Sequence, residues 1–161
     1  EEMDWVKKTN AARILDSLGI KYEILEYTVN EEDLSAEHVA SELGLPLGQV
    51  FKTMVLRGDK GGVFVCCVPG SGELDLKGVA RLTGNKKVDL VPMKEILGLT
   101  GYVRGGCSPL GMKKHYPTFV DSSALEYDSI VVSAGVRGAQ LKLAPTDLVT
   151  ASRATVGELT L

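Results

Sequence analysis

The sequence has no long apolar run, no signal-like start and no excess of basic residues, and each absence excludes a class of protein. No apolar run approaches the ~20 residues that a membrane-spanning helix needs. The first eight residues, EEMDWVKK, open with acidic side chains, whereas a secretion signal opens with basic ones before an apolar stretch. We therefore expect a cytoplasmic protein that makes no contact with a membrane.

Cysteine and histidine are also scarce, with three and two residues. Cys66 and Cys67 are adjacent within an apolar run and Cys107 stands alone, so the odd number and the spacing predict reduced thiols rather than disulfides. Zinc sites use closely spaced ligand pairs, and neither His38 nor His115 has a partner at such a spacing. We expect neither a metal nor a cofactor.

The formal net charge of −3 disfavours binding to a long nucleic acid through many phosphate contacts. Basic side chains are nevertheless grouped in the second half of the chain, at Lys86, Lys87, Arg104, Lys113, Lys114, His115 and Arg137. Any one pair of them is typical of a solvated surface. Together they allow a local contact with one end of a nucleic acid.

Length and composition fit one globular domain over residues 1–161, with 44% apolar and 24% charged residues. We find no repeats and no linker. Hydrophobic periodicity predicts helices at 4–18, 35–44, 75–84, 93–101 and from about 145. It predicts strands at 21–27, 86–92, 116–121, 129–134 and 140–144, and a hairpin at 50–70. Because a hairpin joins antiparallel strands, this pattern predicts an α/β domain with a mixed sheet.

The predicted helix ends carry recognisable signals. Asp4 can cap the first helix, Trp5 would lie on its buried side, and Gly19 would end it. Ser35 is a suitable N-cap for the second helix and Gly44 a suitable stop.

A glycine-rich stretch, RGGCSPLGMKK at 104–114, resembles part of a phosphate-binding loop. A Walker loop ends in Gly-Lys-Ser/Thr, but Gly111 is followed by Met112 and Lys113, so the lysine comes one residue late. The segment GSGELD at 70–75 fails as a dinucleotide fingerprint, because Asp75 stands where glycine or alanine is needed. We reject both nucleotide-binding interpretations.

Two side chains have both a functional and a structural interpretation. Cys107 could be a nucleophile if Arg104 or His115 lay close enough to lower its pKa, but no motif places them, and the interpretation as a small loop residue is favoured. Lys52 shares a strand face with Met54 and Leu56, so it either reaches solvent at the rim of a sheet or serves a pocket.

Four segments, considered together, resemble the YbaK/EbsC family of free-standing editing domains, which deacylate Cys-tRNA(Pro). They are FKTMVL at 51–56, GYVRGGCSPLGMKK at 101–114, DSSALEYDSIVVSAGVRG at 121–138 and LAPTDL at 143–148. The loop carries the family's Gly-x-x-x-Pro motif as Gly105 to Pro109. The resemblance implies a single α/β domain whose mixed, mostly antiparallel, barrel-like sheet has flanking helices.

The resemblance also implies functional residues. Lys52 matches the family's essential lysine, and the loop from Gly105 to Pro109 would surround the aminoacyl ester, which makes Lys52, Gly105 and Pro109 the implied catalytic residues. The implied substrate-binding residues are Tyr27, Thr53, Gly106, Ser108, Ser133, Gly135, Arg137 and Asp147. Asp147 has a second interpretation, as a cap of the last helix.

The implied activity is removal of cysteine from mischarged Cys-tRNA(Pro), with Cys-tRNA(Cys) as an optional further substrate, by attack of the substrate's own thiol on its ester. The implied partners are the 3′ acceptor end of an aminoacyl-tRNA and prolyl-tRNA synthetase, with the oligomeric state open and a homodimer as one option. Two alternatives remain: a hydrolytic editor of Ala-tRNA(Pro) or another small aminoacyl ester, and a non-catalytic module that binds tRNA ends or small ligands.

Overall fold

Short helices alternate with strands that form two separate sheets. The computed structural model describes residues 8–60 and 62–161. The helices are α1 (Asn10–Ser17), α2 (Ala36–Leu43), α3 (Leu76–Thr83), α4 (Ile96–Thr100) and α5 (Pro145–Ser152). The strands are β1 (Glu23–Glu26), β2 (Phe51–Gly58), β3 (Val63–Pro69), β4 (Val88–Leu90), β5 (Thr118–Asp121), β6 (Ile130–Ser133), β7 (Ala139–Leu143) and β8 (Thr155–Gly157). Short 3-10 turns occupy Leu47–Gln49, Met93–Glu95 and Ser122–Glu126.

The larger sheet has the strand order β4-β2-β3-β5-β8, antiparallel from β4 to β3 and parallel from β3 to β8. The smaller sheet, β1-β7-β6, is antiparallel. The predicted mixed, mostly antiparallel pairing is confirmed. The expectation of a barrel is wrong. Within the described residues each sheet keeps two edge strands, and an isolated bridge at Val50–Val131 connects the sheets without closing them.

Strand β3 is buried on both faces, which explains its continuous apolar sequence. Cys67 faces a core that contains residues of α1, β6, β7 and α5, whereas Cys66 and Val68 face α3. Burial raises the pKa of Cys66 to about 12, so its thiol remains protonated and packs as an apolar group.

Capping side chains fix the helix ends. The Ser35 hydroxyl accepts a hydrogen bond from His38 N–H (3.2 Å), and Gly44 ends α2 in the left-handed conformation, as predicted. The first helix begins later than predicted, at Asn10, because the Thr9 hydroxyl caps it by accepting from Ala12 N–H (3.2 Å). The expected roles of Asp4 and Trp5 lie outside the described residues.

The sequence did not predict strand β8. It predicted instead that the last helix continues. The helix stops because Arg153 adopts a left-handed conformation, with φ of 54°, and the chain then runs parallel to β5. Among the described residues, none of the helices is long and apolar enough to span a membrane.

Candidate active site

The candidate site lies where the outer edge of β2 loses its strand partner. Strand β4 pairs with β2 only from Leu56 to Gly58, and Val55 C=O still accepts a hydrogen bond from Val91 N–H (3.0 Å). Towards the start of β2 this edge borders a cavity of about 150 Å³. A cavity of this order holds a guest about the size of benzene, so it suits a small aminoacyl group.

The cavity wall combines residues from both sheets and from the glycine-rich loop. Its polar part consists of Lys52, Thr53, Gly105, Cys107, Ser133 and Gln140. Strands β2, β6 and β7 and the loop therefore converge on one small space. The structure brings together four residues predicted from the sequence, namely Lys52, Thr53, Gly105 and Ser133.

Backbone groups of β2 also point towards the cavity. Gly70 N–H donates to Val50 C=O (2.7 Å) and Gly58 N–H to Gly62 C=O (3.0 Å), so the backbone N–H and C=O groups of the even-numbered residues of β2 point towards β3. Because the hydrogen-bonding direction alternates along an antiparallel strand, the N–H and C=O groups of Thr53 point away from β3. They face the cleft between β2 and the loop.

Two buried oxygens on the cavity wall have no hydrogen-bond partner among the described residues. They are the Thr53 hydroxyl and the Gln140 side-chain carbonyl. Thr53 lies opposite Cys67 on β3, and the thiol that its hydroxyl approaches is only a weak hydrogen-bonding group, which leaves the oxygen free to accept. Leaving a buried polar group unpaired costs about 1–3 kcal/mol, and such groups concentrate at functional sites. Both oxygens can accept a hydrogen bond from an amino group of a ligand.

Gln140 is a site residue that the sequence did not reveal. Gln140 lies on the same face of β7 as Lys142, and a face with two polar residues predicts exposure to solvent. Gln140 is nevertheless buried. Gln140 is buried because the larger sheet and the glycine-rich loop cover this part of β7. A sequence pattern does not show which sheet edge will be covered.

Lys52 is half-buried at the rim of the cavity. Its neighbours on the same strand face, Met54 and Leu56, pack into the core against α3. Among the described residues no carboxylate lines the cavity, so the ammonium group of Lys52 gives it a positive potential. This placement favours the pocket interpretation of Lys52 over the solvent-facing one.

The loop needs glycine at Gly105 and Gly106 for different reasons. Gly105 has φ of +82°, where a side chain is strained, and its Cβ would approach Leu34 within 3.2 Å. Gly106 lets the loop pass close to the segment after β6, because a Cβ there would lie 3.1 Å from the backbone of Val136 and Arg137. Neither position leaves room for a side chain without movement of its neighbours.

The segment after β6 positions the loop and does not line the cavity. Arg137 Nε–H donates to Arg104 C=O (2.8 Å), which ties the two segments together. Gly135 has φ of +105°, and a Cβ there would lie 2.9 Å from the Tyr102 ring. Gly135, Arg137 and Gly106 therefore hold the loop and this segment together and are not among the described residues that line the cavity, so their implied substrate contacts stay a prediction.

Ser108 and Pro109 anchor the loop in the core. Ser108 is fully buried and its hydroxyl accepts a hydrogen bond from Leu110 N–H (3.3 Å), while the Tyr102 hydroxyl donates to Leu110 C=O (2.5 Å). Pro109 borders a different cavity, of about 500 Å³, together with Lys114 and other residues. Neither Ser108 nor Pro109 is among the described residues that line the candidate site.

The structure also places Tyr27 and Asp147 outside the cavity wall. The Tyr27 ring packs edge to face on His38, with 6.3 Å between ring centres, and Tyr27 N–H donates to Gly138 C=O (3.0 Å). Asp147 lies in the first turn of α5, whose N-cap is Ala144, where a carboxylate interacts favourably with the helix dipole. Among the described contacts, Tyr27 and Asp147 support secondary structure.

Cys107 lines the cavity, but no basic group in the described part of the chain activates it. Burial raises the pKa of its thiol to about 11, and a hydrogen bond with Thr100 only partly opposes this rise. The thiol is therefore protonated at neutral pH. His115, which the sequence suggested as a neighbour, forms a hydrogen bond with Ser152 C=O (3.1 Å) instead. Within residues 8–60 and 62–161, no three His, Cys, Asp or Glu side chains form a group that could hold a metal.

The comparison with known families identifies the domain. Residues 31–151 match the model of the aminoacyl-tRNA editing domain, which is most of the chain. The chain belongs to this family. The membership expected from the sequence is confirmed. The matched segment contains ten of the eleven residues predicted for the site, all except Tyr27.

Individual relatives extend the match to nearly the whole chain. The chain is 45% identical over 154 residues to the EbsC protein of Enterococcus faecalis, assigned as a Cys-tRNA(Pro)/Cys-tRNA(Cys) deacylase, covering 96% of this chain and 94% of that one. It is 26% identical to part of the proline–tRNA ligase of Cupriavidus necator, covering 82% of this chain and 24% of the ligase. A solved structure assigned as a trans-editing enzyme for prolyl-tRNA synthetase matches with a TM-score of 0.82 at 26% identity, covering 96% and 99% of the two chains.

Proposed function

We propose that this editing domain, over residues 1–161, removes cysteine from mischarged Cys-tRNA(Pro). The observation that supports the proposal is the 150 Å³ cavity with two unpaired acceptor oxygens, one cationic side chain and no activated nucleophile among its described lining residues. The relative assigned as a Cys-tRNA deacylase supports the choice of cysteine. Because its substrate is made during protein synthesis, the protein would act in the cytoplasm.

The substrate supplies the nucleophile in this proposal. The cysteine sulfur attacks its own ester carbonyl, a carbon–sulfur bond forms, and the bond to the ribose oxygen breaks. The thiol proton passes to the leaving ribose oxygen, so the products are a cyclic thiolactone and free tRNA. Holding sulfur and carbonyl in the reactive orientation can contribute ~7–11 kcal/mol, so the protein needs no nucleophile of its own.

Each part of the cavity wall then has a role. The unpaired oxygens of Thr53 and Gln140 accept hydrogen bonds from the uncharged α-amino group, which fixes the cysteine in place. Backbone N–H groups beside Gly105 and at Thr53 approach the ester oxygen, and the ammonium of Lys52 counters the negative charge that develops there. Cys107 is a wall residue.

A deacylation panel tests this proposal. Wild type is expected to cleave Cys-tRNA(Pro) and Cys-tRNA(Cys) and to leave Ala-tRNA(Pro) and Ser-tRNA(Pro) uncleaved, since neither alanine nor serine has a sulfur atom. Lys52→Ala should lower kcat by about 100-fold or more, as expected for loss of a charge that stabilises the transition state. If Lys52 instead only positions a phosphate, KM will rise while kcat stays unchanged.

Cys107→Ala is the matched control in the same panel and should keep most of the activity. A loss of about 100-fold would show that the protein's own thiol reacts. Cleavage of Ala-tRNA(Pro) at a comparable rate would favour the hydrolytic editor. No cleavage of any substrate would exclude both kinds of deacylase and leave the non-catalytic binding module as the remaining hypothesis.

A further inference from the structure

The cavity of about 500 Å³ has no lining residue in common with the candidate active site among the described residues. It lies where the C-terminal ends of α1 and α5 meet the chain segment from Pro109 to Tyr116. Its volume is in the range of small-ligand sites, roughly 300–1,000 Å³. Of the site residues that the resemblance implied, only Pro109 borders it, so the proposed deacylation leaves this cavity without a role.

The charged side chains on the described wall of this cavity are all basic. They are Lys114, His115 and Arg153, and no carboxylate lies among the described lining residues. Neither Lys114 nor Arg153 forms a salt bridge with any residue that the structure describes. The chain as a whole carries a net charge of −3, so this wall has the opposite sign to the molecule. A wall of this kind attracts an anion.

Arg153 occupies a position where this fold otherwise uses glycine. Helices α2, α3 and α4 each end at a glycine in the left-handed conformation, namely Gly44, Gly84 and Gly101. Helix α5 ends instead at Arg153, with φ of 54°, the one non-glycine residue with positive φ in the described part of the chain. A side chain is strained in this conformation. A strained residue beside a cavity indicates that its side chain has a use there.

The other two basic groups are held in place beside this helix end. Ser152 C=O can only accept a hydrogen bond, so His115 Nε2 carries the hydrogen that it donates across 3.1 Å. This bond ties the segment after the loop to the end of α5. The Lys114 ammonium lies 5.9 Å from the centre of the Tyr116 ring, within the range of a cation–π interaction. The basic groups are therefore positioned before any ligand binds.

The rest of the cavity wall is mostly apolar. Ile14, Leu18, Leu110 and Met112 line it, with Leu110 buried at its base and Leu18 53% exposed at its rim. An apolar wall beside basic groups suits a ligand that has an apolar body and an anionic group. The two full positive charges of lysine and arginine match a phosphate monoester, with a charge of about −1.5 to −2 at pH 7, better than a carboxylate. A guanidinium also binds phosphate through two parallel hydrogen bonds.

We propose that the cavity at the end of α5 binds an organic phosphate monoester, with Lys114 and Arg153 contacting the phosphate and Leu110 and Met112 contacting the apolar body. A free small molecule and the 5′-phosphate end of an RNA both present this chemistry. The competing explanation is that the basic side chains only offset the negative ends of the α1 and α5 helix dipoles, in which case no ligand binds.

Calorimetric titration with phenyl phosphate tests the site, with inorganic phosphate and phenol as probes of its two halves. Phenyl phosphate should bind about tenfold or more tighter than either half, because only it uses both the basic and the apolar walls. In protein with ¹³C-labelled methionine methyl groups, the Met112 signal should shift, while that of Met54, which packs against α3, stays unchanged. Equal affinity for phenyl phosphate and inorganic phosphate, or an unchanged Met112 signal, would overturn the proposal.

Arg153→Gln and Arg81→Gln separate ligand binding from the helix-dipole explanation. Arg81 lies in the last turn of α3 and outside the cavity, so both substitutions remove a charge from a helix end. Arg153→Gln should weaken binding of phenyl phosphate about tenfold or more, and Arg81→Gln should leave it unchanged. Arg153→Gly should also lose binding and unfold at a temperature no lower than wild type, since glycine adopts the left-handed conformation without strain. Wild-type affinity in Arg153→Gln would support the dipole explanation and overturn the site.

Two short RNA duplexes, one with a 5′-phosphate and one with a 5′-hydroxyl, distinguish the two sources of the phosphate. A preference for the phosphorylated end that is lost in Arg153→Gln would assign the site to RNA. Equal binding of both duplexes, together with binding of phenyl phosphate, would assign it to a free small molecule. If no phosphate probe binds, the site fails and the deacylase proposal stands, because the two cavities share no described lining residue.

Discussion

Buried polar side chains divide into two kinds at the scale of single residues. Asp121 is representative of the first, because its carboxylate accepts hydrogen bonds from Leu159 N–H (2.8 Å) and from the Ser123 hydroxyl (2.6 Å). Thr53 and Gln140 are of the second kind, with oxygens that no described residue satisfies. The first kind stabilises the fold, whereas the second kind is available to a ligand.

Replacing Thr53 by valine should therefore affect stability and activity in opposite directions. The change removes an unpaired buried hydroxyl and keeps the shape, so we expect the free energy of unfolding to rise by about 1 kcal/mol. Deacylation should fall about 3- to 10-fold, through loss of a hydrogen bond to the α-amino group. Thermal denaturation and single-turnover kinetics measure the two effects.

The control for this prediction is Thr118→Val on β5. The Thr118 hydroxyl donates to Tyr116 C=O (2.9 Å), so its loss should destabilise the protein and leave the activity of the folded enzyme unchanged. A Thr53→Val protein that is less stable than wild type, or equally active, would contradict the assignment of Thr53 as a ligand-binding group.

At the scale of elements, the sequence predicted the helices, the β2–β3 hairpin and the capping residues Ser35 and Gly44, because these depend on neighbours close in the chain. It did not predict strand β8, whose three residues follow a left-handed Arg153 and pair only with distant β5. Pairing between distant segments also decides whether sheets close, which is why the expected barrel was wrong.

The same distinction, between local sequence signals and contacts between distant segments, explains which site residues were predicted. The resemblance implied eleven site residues, and the structure has four of them, Lys52, Thr53, Gly105 and Ser133, on the cavity wall. It did not identify Gln140, because the burial of that side chain depends on how the loop covers β7. When a distant loop covers a strand, the residues of that strand carry no local sequence pattern that predicts their burial.

The conformation of the loop element gives a further prediction, on Gly105→Ala. A side chain at φ of +82° is strained by roughly 1 kcal/mol, and its Cβ would meet Leu34 at the cavity wall. We expect a loss of stability of this size and a fall in kcat/KM of about tenfold or more, as backbone donors move from the ester oxygen. Deacylation assays and thermal denaturation measure both.

Gly19→Ala provides the matched comparison. Gly19 has φ of +69°, and no heavy atom lies within 4 Å of the Cβ that alanine would add, so the backbone strain is similar but the site is untouched. Its stability should fall by about as much as that of Gly105→Ala, ~1 kcal/mol, with activity unchanged. Equal activity in the two variants would show that the loop backbone does not contribute to catalysis.

At the scale of the whole molecule, charge is distributed unevenly. The chain carries a net charge of −3, yet the described residues lining the candidate site include Lys52 and no carboxylate, and the 500 Å³ cavity includes Lys114, His115 and Arg153. A protein with this balance attracts RNA locally and weakly. Delivery of the substrate by a partner would compensate for weak affinity.

We therefore expect prolyl-tRNA synthetase to accelerate deacylation at low concentrations of tRNA. With dilute Cys-tRNA(Pro), the initial rate should rise when the synthetase is added, and the gain should vanish at saturating tRNA, where affinity no longer limits the rate. An unrelated synthetase is the control. Equal rates at dilute tRNA with and without prolyl-tRNA synthetase would argue against delivery by this partner.

The bridge at Val50–Val131 has a consequence for how such a domain can change over time. Lys52 and Thr53 belong to the larger sheet, whereas Ser133 and Gln140 belong to the smaller one, and the cavity lies across the junction between them. Substitutions on the smaller sheet alter the shape and polarity of the space without shifting the backbone beside the ester. Selectivity for the amino acid can therefore diverge while the chemical machinery is inherited intact.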